Sequence, residues 1–528
     1  MRNSSRDYDA IIVGGGPAGA VMGWSLAVRG IRALILDRAR FPREKVCGDF
    51  VEPRGLRLFD AMGCLRAIEA AHPLPITHTS LHLGGAVAYR GAIPFYGTGV
   101  ALPPHGYIVP REDLDARLLS AAATAGAEVR EGCDVERVTR SGTRMRVHQR
   151  SHSSVAAPLV IGADGTQSIV SRSMGLFVQD PRYVAIAQRA YAGPVALDRG
   201  EAAFFFTHEL FPGYGWMFPM SDGRANIGVG VLAEAVSRYR INVPKLLLTF
   251  VEMLRREHPG CREIRLGSKP IGGIVRTYGA AGPNHFDGGI LIGDAGCFVD
   301  PMTGEGITPA AESALLGADV IAEALDEGRY DRTFLSRYER AFRSYFDPAM
   351  RYLDFCACVM RNRHLSDFWI RAVSRGCALA AADPAFARES GGTFGGLDVR
   401  PLAIAAQIWS RGMTMAAGEG LRVASELVHG RTDALRDAIL GASSAHVGWW
   451  ASWADDPAWH ATWVRDVGKK WFELVRTTSR RDPRSDGPLA LRAQLDSARV
   501  LPTRRSRSSG RRVTRRASAM ASAANSSR

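Results

Sequence analysis

A glycine-rich turn near the N-terminus constrains this chain most. Residues Asp9 to Val13 read DAIIV, a short apolar run, and Gly14-Gly15-Gly16-Pro17-Ala18-Gly19 follows at once. The spacing Gly14-x-Gly16-x-x-Gly19 suits a strand-to-helix turn that receives a pyrophosphate. Gly14 permits the tight turn, Gly16 lets backbone approach the phosphates, and Gly19 lets the helix pack close on the strand. Phosphates then meet a helix N-terminus, where unpaired N–H groups and the helix dipole favour negative charge. The helical stretch runs to about Arg29, Gly30 ends it, and Ala33 to Leu36 (ALIL) reads as a second buried strand. Asp37 closes that strand 18 residues after Gly19, where a carboxylate accepts adenosine ribose hydroxyls. A lone G-x-G-x-x-G is weak. Strand, helix and Asp37 together specify a dinucleotide-binding β-α-β unit, and leave open whether the dinucleotide carries a nicotinamide or a flavin.

Two later motifs narrow that choice. Gly289 to Ile292 reads as a buried strand, and Gly293-Asp294 and Asp300-Pro301-Met302-Thr303-Gly304-Glu305-Gly306 follow it. An aspartate at such a strand end can hold a ribityl or ribose hydroxyl. Gly304 and Gly306 let backbone reach a flat ring, and a helix expected from about Pro309 to Ala324 aims its positive end at that ring, stabilising negative charge there. The third motif, Gly162-Ala163-Asp164-Gly165 with Ser168 and Arg172, follows the strand Val160-Ile161. An Asp-Gly pair alone is an ordinary turn.

In this order and spacing the three motifs resemble the flavoprotein hydroxylase superfamily, over roughly residues 8–330. The resemblance implies an α/β glutathione-reductase-like FAD-binding Rossmann fold with an inserted antiparallel β-sheet substrate domain and a helical C-terminal region. It implies FAD as cofactor, with Asp37 on the adenosine ribose and Asp294 on the ribityl side. Arg111, in Val109-Pro110-Arg111-Glu112, matches a superfamily arginine that contacts the cofactor; a solvated arginine at a helix start is the competing account. The cofactor set so implied is Gly14, Gly16, Gly19, Asp37, Arg38, Cys47, Gly48, Arg111, Asp164, Asp294, Gly304, Gly306 and Ile307, with no metal.

Two further stretches point to a branch. Phe41-Pro42-Arg43-Glu44-Lys45-Val46-Cys47-Gly48-Asp49 follows the second strand, and Pro212-Gly213-Tyr214-Gly215-Trp216-Met217-Phe218-Pro219 lies in the insertion. Together they resemble the geranylgeranyl reductase family, which saturates isoprenoid double bonds. The resemblance puts Cys47 near the flavin and Tyr214 and Trp216 in the substrate cavity. In a strand, Tyr214, Trp216 and Phe218 share one face and can wall an apolar pocket; they can equally be core aromatics. Cys47 can equally be an inert packed thiol. Tyr214 and Cys47 are the proton-donor candidates, and Trp216 and Phe218 the prenyl contacts. Related halogenases carry W-x-W-x-I-P where this chain has Tyr214 and Phe218, which argues against halogenation. A monooxygenase acting on an aromatic or polyketide-like substrate shares the FAD motifs and is the alternative chemistry.

Length and charge set the rest. A chain of 528 residues exceeds one core, so two or three domains are expected. The interleaved motifs divide it into an FAD-binding domain (1–75, 106–175 and 285–330), a substrate domain (76–105 and 176–284), a helical region (331–480) and a basic tail expected to be disordered (481–528). The net charge of +14 looks like a nucleic-acid signal. Nine arginines and no acid follow Asp496, however, leaving +5 for the rest, so no nucleic-acid partner is expected. Eight scattered cysteines read as reduced thiols of a cytoplasmic protein. No apolar run reaches the roughly 18 residues of a membrane span. A hydrophobic small-molecule or lipid substrate and peripheral membrane contact are the partner expectations. Six tryptophans between Trp449 and Trp471 suit helix packing, a substrate cap or a membrane surface. No second G-x-G-x-x-G unit appears, so NAD(P)H or a reduced electron carrier is expected to bind transiently.

Overall fold

Strand β1 (Ala10–Val13) is apolar and wholly buried, so it can only be a central strand. In the computed structural model, which describes residues 8–83, 86–93, 102–196, 200–384, 386–387 and 451–479, it leads into helix α1 (Pro17–Val28) and strand β2 (Ala33–Asp37). The first ten residues of α1 are all buried, because the helix lies between the sheet and two other helices. A helix covered on all sides has no polar face to show, and this one shows none.

The chain then leaves this layer. Strands β3 (His78–Leu83) and β4 (Ala86–Ala92) form a hairpin elsewhere, and helix α2 (Arg111–Ala125) and strand β5 (Glu128–Glu131) bring the chain back. A meander follows, β6 (Val135–Ser141), β7 (Arg144–Gln149) and β8 (Val155–Ala157), before β9 (Leu159–Gly162) joins the first sheet. A second departure carries β10 (Val184–Gly193), β11 (Glu201–Phe206), β12 (Tyr214–Pro219), β13 (Ala225–Leu232), helix α3 (Val243–Glu257) and β14 (Ile271–Arg276). Strands β15 (His285–Phe286) and β16 (Gly289–Leu291) return to the first sheet. Helices α4 (Ile307–Glu327), α5 (Arg332–Met360), α6 (Ser366–Ala382) and α7 (Pro457–Ser479) complete the described chain.

The first sheet has the order β15-β16-β9-β1-β2-β5, parallel throughout except for β15. The carboxyl ends of β2, β9 and β16 carry Asp37, Ala163-Asp164 and Gly293-Asp294, so three sequence-distant motifs meet on one sheet edge. The second sheet runs β4-β3-β11-β12-β13-β10, with β14 on the outer side of β10. Its alternation splits two environments. Phe205, Met217, Ile227 and Val229 pack with Leu247, Phe250 and Leu254 of α3, while Phe204, Tyr214, Trp216 and Phe218 face the other way.

Several boundaries differ from expectation. Helix α2 begins at Arg111, which puts Arg111 in its first turn. Helix α4 begins at Ile307; Pro309 sits inside the first turn, where a missing N–H costs nothing. Helix α3 interrupts a stretch expected to be sheet, although Asn242 caps it and Val243, Leu247, Phe250, Val251 and Leu254 follow the helical period. Of the tryptophan group, Trp463 is buried and donates from Nε1 to the Cys358 carbonyl at 2.9 Å, and Trp453 stacks on His460. Trp471 is exposed. Trp449, Trp450 and the basic tail lie outside the described residues.

Candidate functional site

The turn after β1 is built by close approach. Gly14 takes φ +103°, and a Cβ there would stand 2.2 Å from the Ala163 carbonyl oxygen. A Cβ on Gly19 would stand 1.8 Å from the Gly14 oxygen, so any other residue would lift α1 off the strand. Gly16 is the N-cap of α1, and no side chain satisfies that helix end. The nearest group to a Cβ on Gly16 would be Arg43 Nη2 at 3.6 Å. A bare helix N-terminus with a guanidinium beside it suits a pyrophosphate. Buried Asp37 accepts from the Gly15 N–H at 2.6 Å and the Ala39 N–H at 2.8 Å, which fixes both its oxygens at the end of β2. Arg38 beside it is exposed.

The other motif residues are held as firmly. Arg111 is buried, not solvated, and makes two 2.8 Å bonds to Asp115, which also takes Arg43 at 3.1 Å. Asp164 takes Ser168 Oγ at 2.5 Å and the Ile169 and Val170 N–H groups at 2.6 and 3.1 Å, so it caps the short helix Ile169–Ser173. Asp294 accepts from Lys45 Nζ and Thr166 Oγ1, both at 3.3 Å. Burial pushes its carboxyl up, but Lys45 and Arg111 win and hold it below the usual carboxylate range. Gly304 takes φ +71°, Gly306 is the N-cap of α4 with no side-chain partner, and Ile307 opens the helix. This arrangement fits FAD: a side-chain-free cradle at α1, fixed carboxylates at the ends of β2 and β16, and a second helix N-terminus at α4, where Glu305 takes only the Thr308 N–H.

Beside this cradle lies a cavity of about 630 Å³. One wall is the aromatic face of the second sheet. Tyr214 and Trp216 ring centroids are 6.0 Å apart, Trp216 and Phe218 6.4 Å, and Phe204 and Phe218 5.3 Å. Lys45 to Phe50 border it, and the loop from Val299 to Gly306 closes one end. The opposite wall comes from α5 and α6 through Phe346, Met350, Leu353, Met360, Val373 and Gly376. A Cβ on Gly48 would stand 2.9 Å from the Phe218 ring, which is why the Cys47-Gly48 segment lies flat on the aromatic face.

Hydrogen bonds brace that face. Trp216 Nε1 donates to Asn226 Oδ1 at 3.0 Å. Asn226 Nδ2 donates to Asp49 Oδ2 at 2.8 Å and to the Cys47 carbonyl at 2.9 Å, and Tyr191 donates to Asp49 at 2.7 Å. The Tyr214 hydroxyl donates to the Thr303 carbonyl and ties the aromatic wall to the loop before α4. Burial pushes the Cys47 thiol up, against the pull of Arg111, and Cys47 Sγ accepts from the Asp49 N–H at 3.3 Å.

Comparison with known proteins adds the family. An FAD binding domain model matches residues 7–201, and a geranylgeranyl reductase catalytic domain model matches residues 184–267. The chain is 32% identical over 326 residues to a menaquinone reductase of Mycolicibacterium smegmatis, covering 59% of this chain and 76% of that one. It is 31% identical over 358 residues to digeranylgeranylglycerophospholipid reductase 2 of Methanopyrus kandleri, covering 66% and 85%. The chain belongs to the geranylgeranyl reductase family. It is an FAD-dependent oxidoreductase of that family. A geranylgeranyl bacteriochlorophyll reductase-like protein of Thermoplasma acidophilum shares the fold, with TM-score 0.59 and 23% identity, covering 70% of this chain and 91% of that one. A flavin-dependent brominase shares it at TM-score 0.56 and 19% identity, covering 70% and 93%.

Within this geranylgeranyl reductase family member, motif reading passed over five site residues. Arg43, Lys45 and Asp49 lie in the quoted segment around Cys47, but nothing in their spacing says what they touch. Asn226 sits in β13 among small and apolar residues, where an isolated amide was a signal that went unused. Glu305 lies inside the quoted Gly304–Gly306 turn, where the glycines drew the attention.

Proposed function

We propose that the protein reduces carbon–carbon double bonds of an isoprenoid or prenylated hydrophobic substrate. The observation that carries this is the cavity: an apolar chamber with an aromatic wall on one side, helices on the other, and the proposed flavin site beside it. Its lining is predominantly apolar, as a prenyl chain requires and a polar aromatic substrate does not. The two reductase relatives, named for menaquinone and for an archaeal lipid, support the same substrate class.

In this reading residues 1–75, 106–175 and 285–330 hold the cofactor. Asp37 would take the adenosine ribose, the cradle at Gly14, Gly16 and Gly19 the pyrophosphate, and Asp294 the ribityl hydroxyls. Bound FAD, once reduced, supplies hydride equivalents. Residues 76–105, 176–284 and the helices of 331–480 position the alkene and exclude water. Trp216, Phe218 and Phe204 hold the prenyl chain, Tyr214 fixes the loop before α4 against that wall, and Asn226 and Asp49 fix the ring of Trp216. A reduced nicotinamide or electron-carrier protein delivers electrons by transient binding. Among the described residues no helix is long and apolar enough to cross a membrane.

The test is direct. The FAD-loaded protein is reduced anaerobically and mixed with a prenylated lipid or quinone, and the product is weighed by mass spectrometry. A gain of two hydrogens per turnover is expected. An untouched prenyl chain, with oxygen transferred to an aromatic substrate when air is admitted, would replace the reductase reading with the monooxygenase one.

A further inference from the structure

Saturating a double bond takes a hydride on one carbon and a proton on the other, so an apolar cavity needs an acid in its wall. The two candidates read from the sequence are poorly placed for this. The Tyr214 proton is committed to the Thr303 carbonyl. Cys47 lies in a tight segment with Asp49 and Arg111 around its sulfur, and every loss of its proton would put a thiolate in a desolvated site. Among the cavity's other carboxyls, Asp294 is an ion tied to Lys45, and Asp300 receives the Met302 and Thr303 N–H groups at 2.6 and 3.1 Å. Glu52 is paired with Arg54 at 2.7 Å, and Asp49 is fully buried and engaged by Tyr191 and Asn226 at 2.7 and 2.8 Å.

Glu305 is different. It lines the cavity at the turn before α4, between Gly304 and Gly306. One oxygen, Oε1, accepts the Thr308 N–H at 2.9 Å, and the other has no hydrogen-bond partner among the described residues. Behind it lies a polar cluster drawn from three helices. Arg54 binds Glu52 at 2.7 Å and Glu312 at 3.3 Å, and the Tyr345 hydroxyl donates to Glu312 at 2.8 Å. Buried Glu312 Oε2 and Thr308 Oγ1 are left without partners. Among the described residues, the charges that act most on Glu305 are Glu52 and Asp300 against Arg54, which already serves Glu52 and Glu312.

We propose that Glu305 is the proton donor for the reduction, and that the Glu52–Arg54–Glu312–Tyr345 cluster returns a proton to it after each turnover. The proposal rests on the reductase reading above. In the step, the O–H bond of Glu305 breaks and the π electrons of the alkene form the new C–H bond. The other carbon receives a hydride from the reduced cofactor, and Glu305 is left as a carboxylate. A proton taken up from solvent and passed through Glu312 then restores the acid. Burial, and next the negative charge of Glu52, hold the Glu305 carboxyl well above the usual range, which favours its protonated form. Glu312 is pushed up to about 6 by burial, despite Arg54, and so can exchange a proton near neutrality.

The experiment compares wild-type, Glu305→Gln and Glu305→Asp as FAD-loaded proteins. Gln keeps the acceptor for the Thr308 N–H and so the start of α4, and flavin fluorescence titration of each variant separates loss of FAD from loss of proton transfer. Infrared difference spectra at mildly alkaline pH are expected to show a protonated carboxyl band that Glu305→Gln removes. In single-turnover reduction of a prenylated quinone, Glu305→Gln is expected to slow product formation about a hundredfold or more, with substrate affinity kept. Glu305→Asp should recover part of that loss, and the alkaline limb of the pH profile should vanish in Glu305→Gln. A Glu305→Gln rate within about threefold of wild-type, with the same pH profile, would overturn the donor assignment while leaving the reductase reading intact. A carboxyl band unchanged in Glu305→Gln would also overturn it. If wild-type itself leaves the prenyl chain unreduced, the reductase reading fails and takes this proposal with it.

Discussion

Asp49 and Asp294 border the same cavity and are driven in opposite directions. Asp49 is wholly buried, holds φ +64°, and has one oxygen without a partner. Burial raises its carboxyl to about 6, although Tyr191, Arg189 and Asn226 pull the other way. An acid whose folded pKa lies above its unfolded value costs stability as pH rises between the two, because the unfolded chain ionises first. The protein should therefore lose stability from about pH 4 to 6 through this group, and Asp49→Asn should flatten that fall while keeping an acceptor for Tyr191 and Asn226. Denaturant midpoints on either side of the window measure it. Asp294 has the reverse sign: its carboxyl is depressed, so its contribution is present above the ordinary carboxylate range and fades as pH falls through the folded value. Asp294→Ala should weaken FAD binding by about tenfold to a hundredfold, the worth of a hydrogen bond to a charged group, with the fold retained. Flavin fluorescence titration beside circular dichroism separates the two effects.

At the scale of elements, β12 and α6 face each other across the cavity and were unequally legible. The alternation of Tyr214, Trp216 and Phe218 already says that one strand face is aromatic, and the strand presents that face to the cavity. What it cannot say is that Gly215 and Met217 meet the Phe250 side of α3 on the other face. Helix α6 carries no comparable signal, since its Ile370, Val373 and Cys377 read as ordinary helix core. Gly376 lines the cavity, and a Cβ there meets nothing within 4 Å. Gly376→Phe should therefore fill cavity space rather than clash. A rise in KM for long prenyl chains is expected, with short chains and FAD occupancy little changed. Equal loss for short and long chains would place α6 outside the substrate path.

For the whole molecule, the C-terminal helices decide whether there is a closed chamber. Helix α5 lines the cavity on one side and carries α7 on the other, joined by the buried Lys470–Asp354 pair and the Trp463–Cys358 bond. Arg361 adds bridges to Glu234 at 2.7 Å and Asp466 at 3.2 Å, tying α7 and the short helix Ala233–Tyr239 after β13 to the end of α5. Lys470→Met removes one partner and leaves Asp354 buried without its counter-charge, a loss of about 3–5 kcal/mol. Thermal unfolding should show it as a lower midpoint. Adding Asp354→Leu should restore most of the loss, because a well-packed apolar pair replaces a buried ion pair at little net cost.

The amino-acid sequence by itself determined the proposed flavin end of this protein. Gly14, Gly16, Gly19 and Asp37 act within about 30 residues, so their chemistry is local and their spacing carries it. Asp164, Asp294 and the Gly304–Gly306 turn were legible for the same reason, each following its own buried strand. Their convergence on one sheet edge follows from parallel pairing of β2, β1, β9 and β16. Only the tertiary structure decided the cavity proposed for the substrate. The cavity is assembled from the 45–50 segment, two departures into a second sheet, and helices from the far C-terminal part of the chain. No periodicity links such distant pieces, because side-chain packing between elements leaves no fixed spacing in sequence. The same limit hid Glu305: its position between two glycines was plain, but its neighbours Glu52, Arg54, Glu312 and Tyr345 come from elements that meet only when the chain folds.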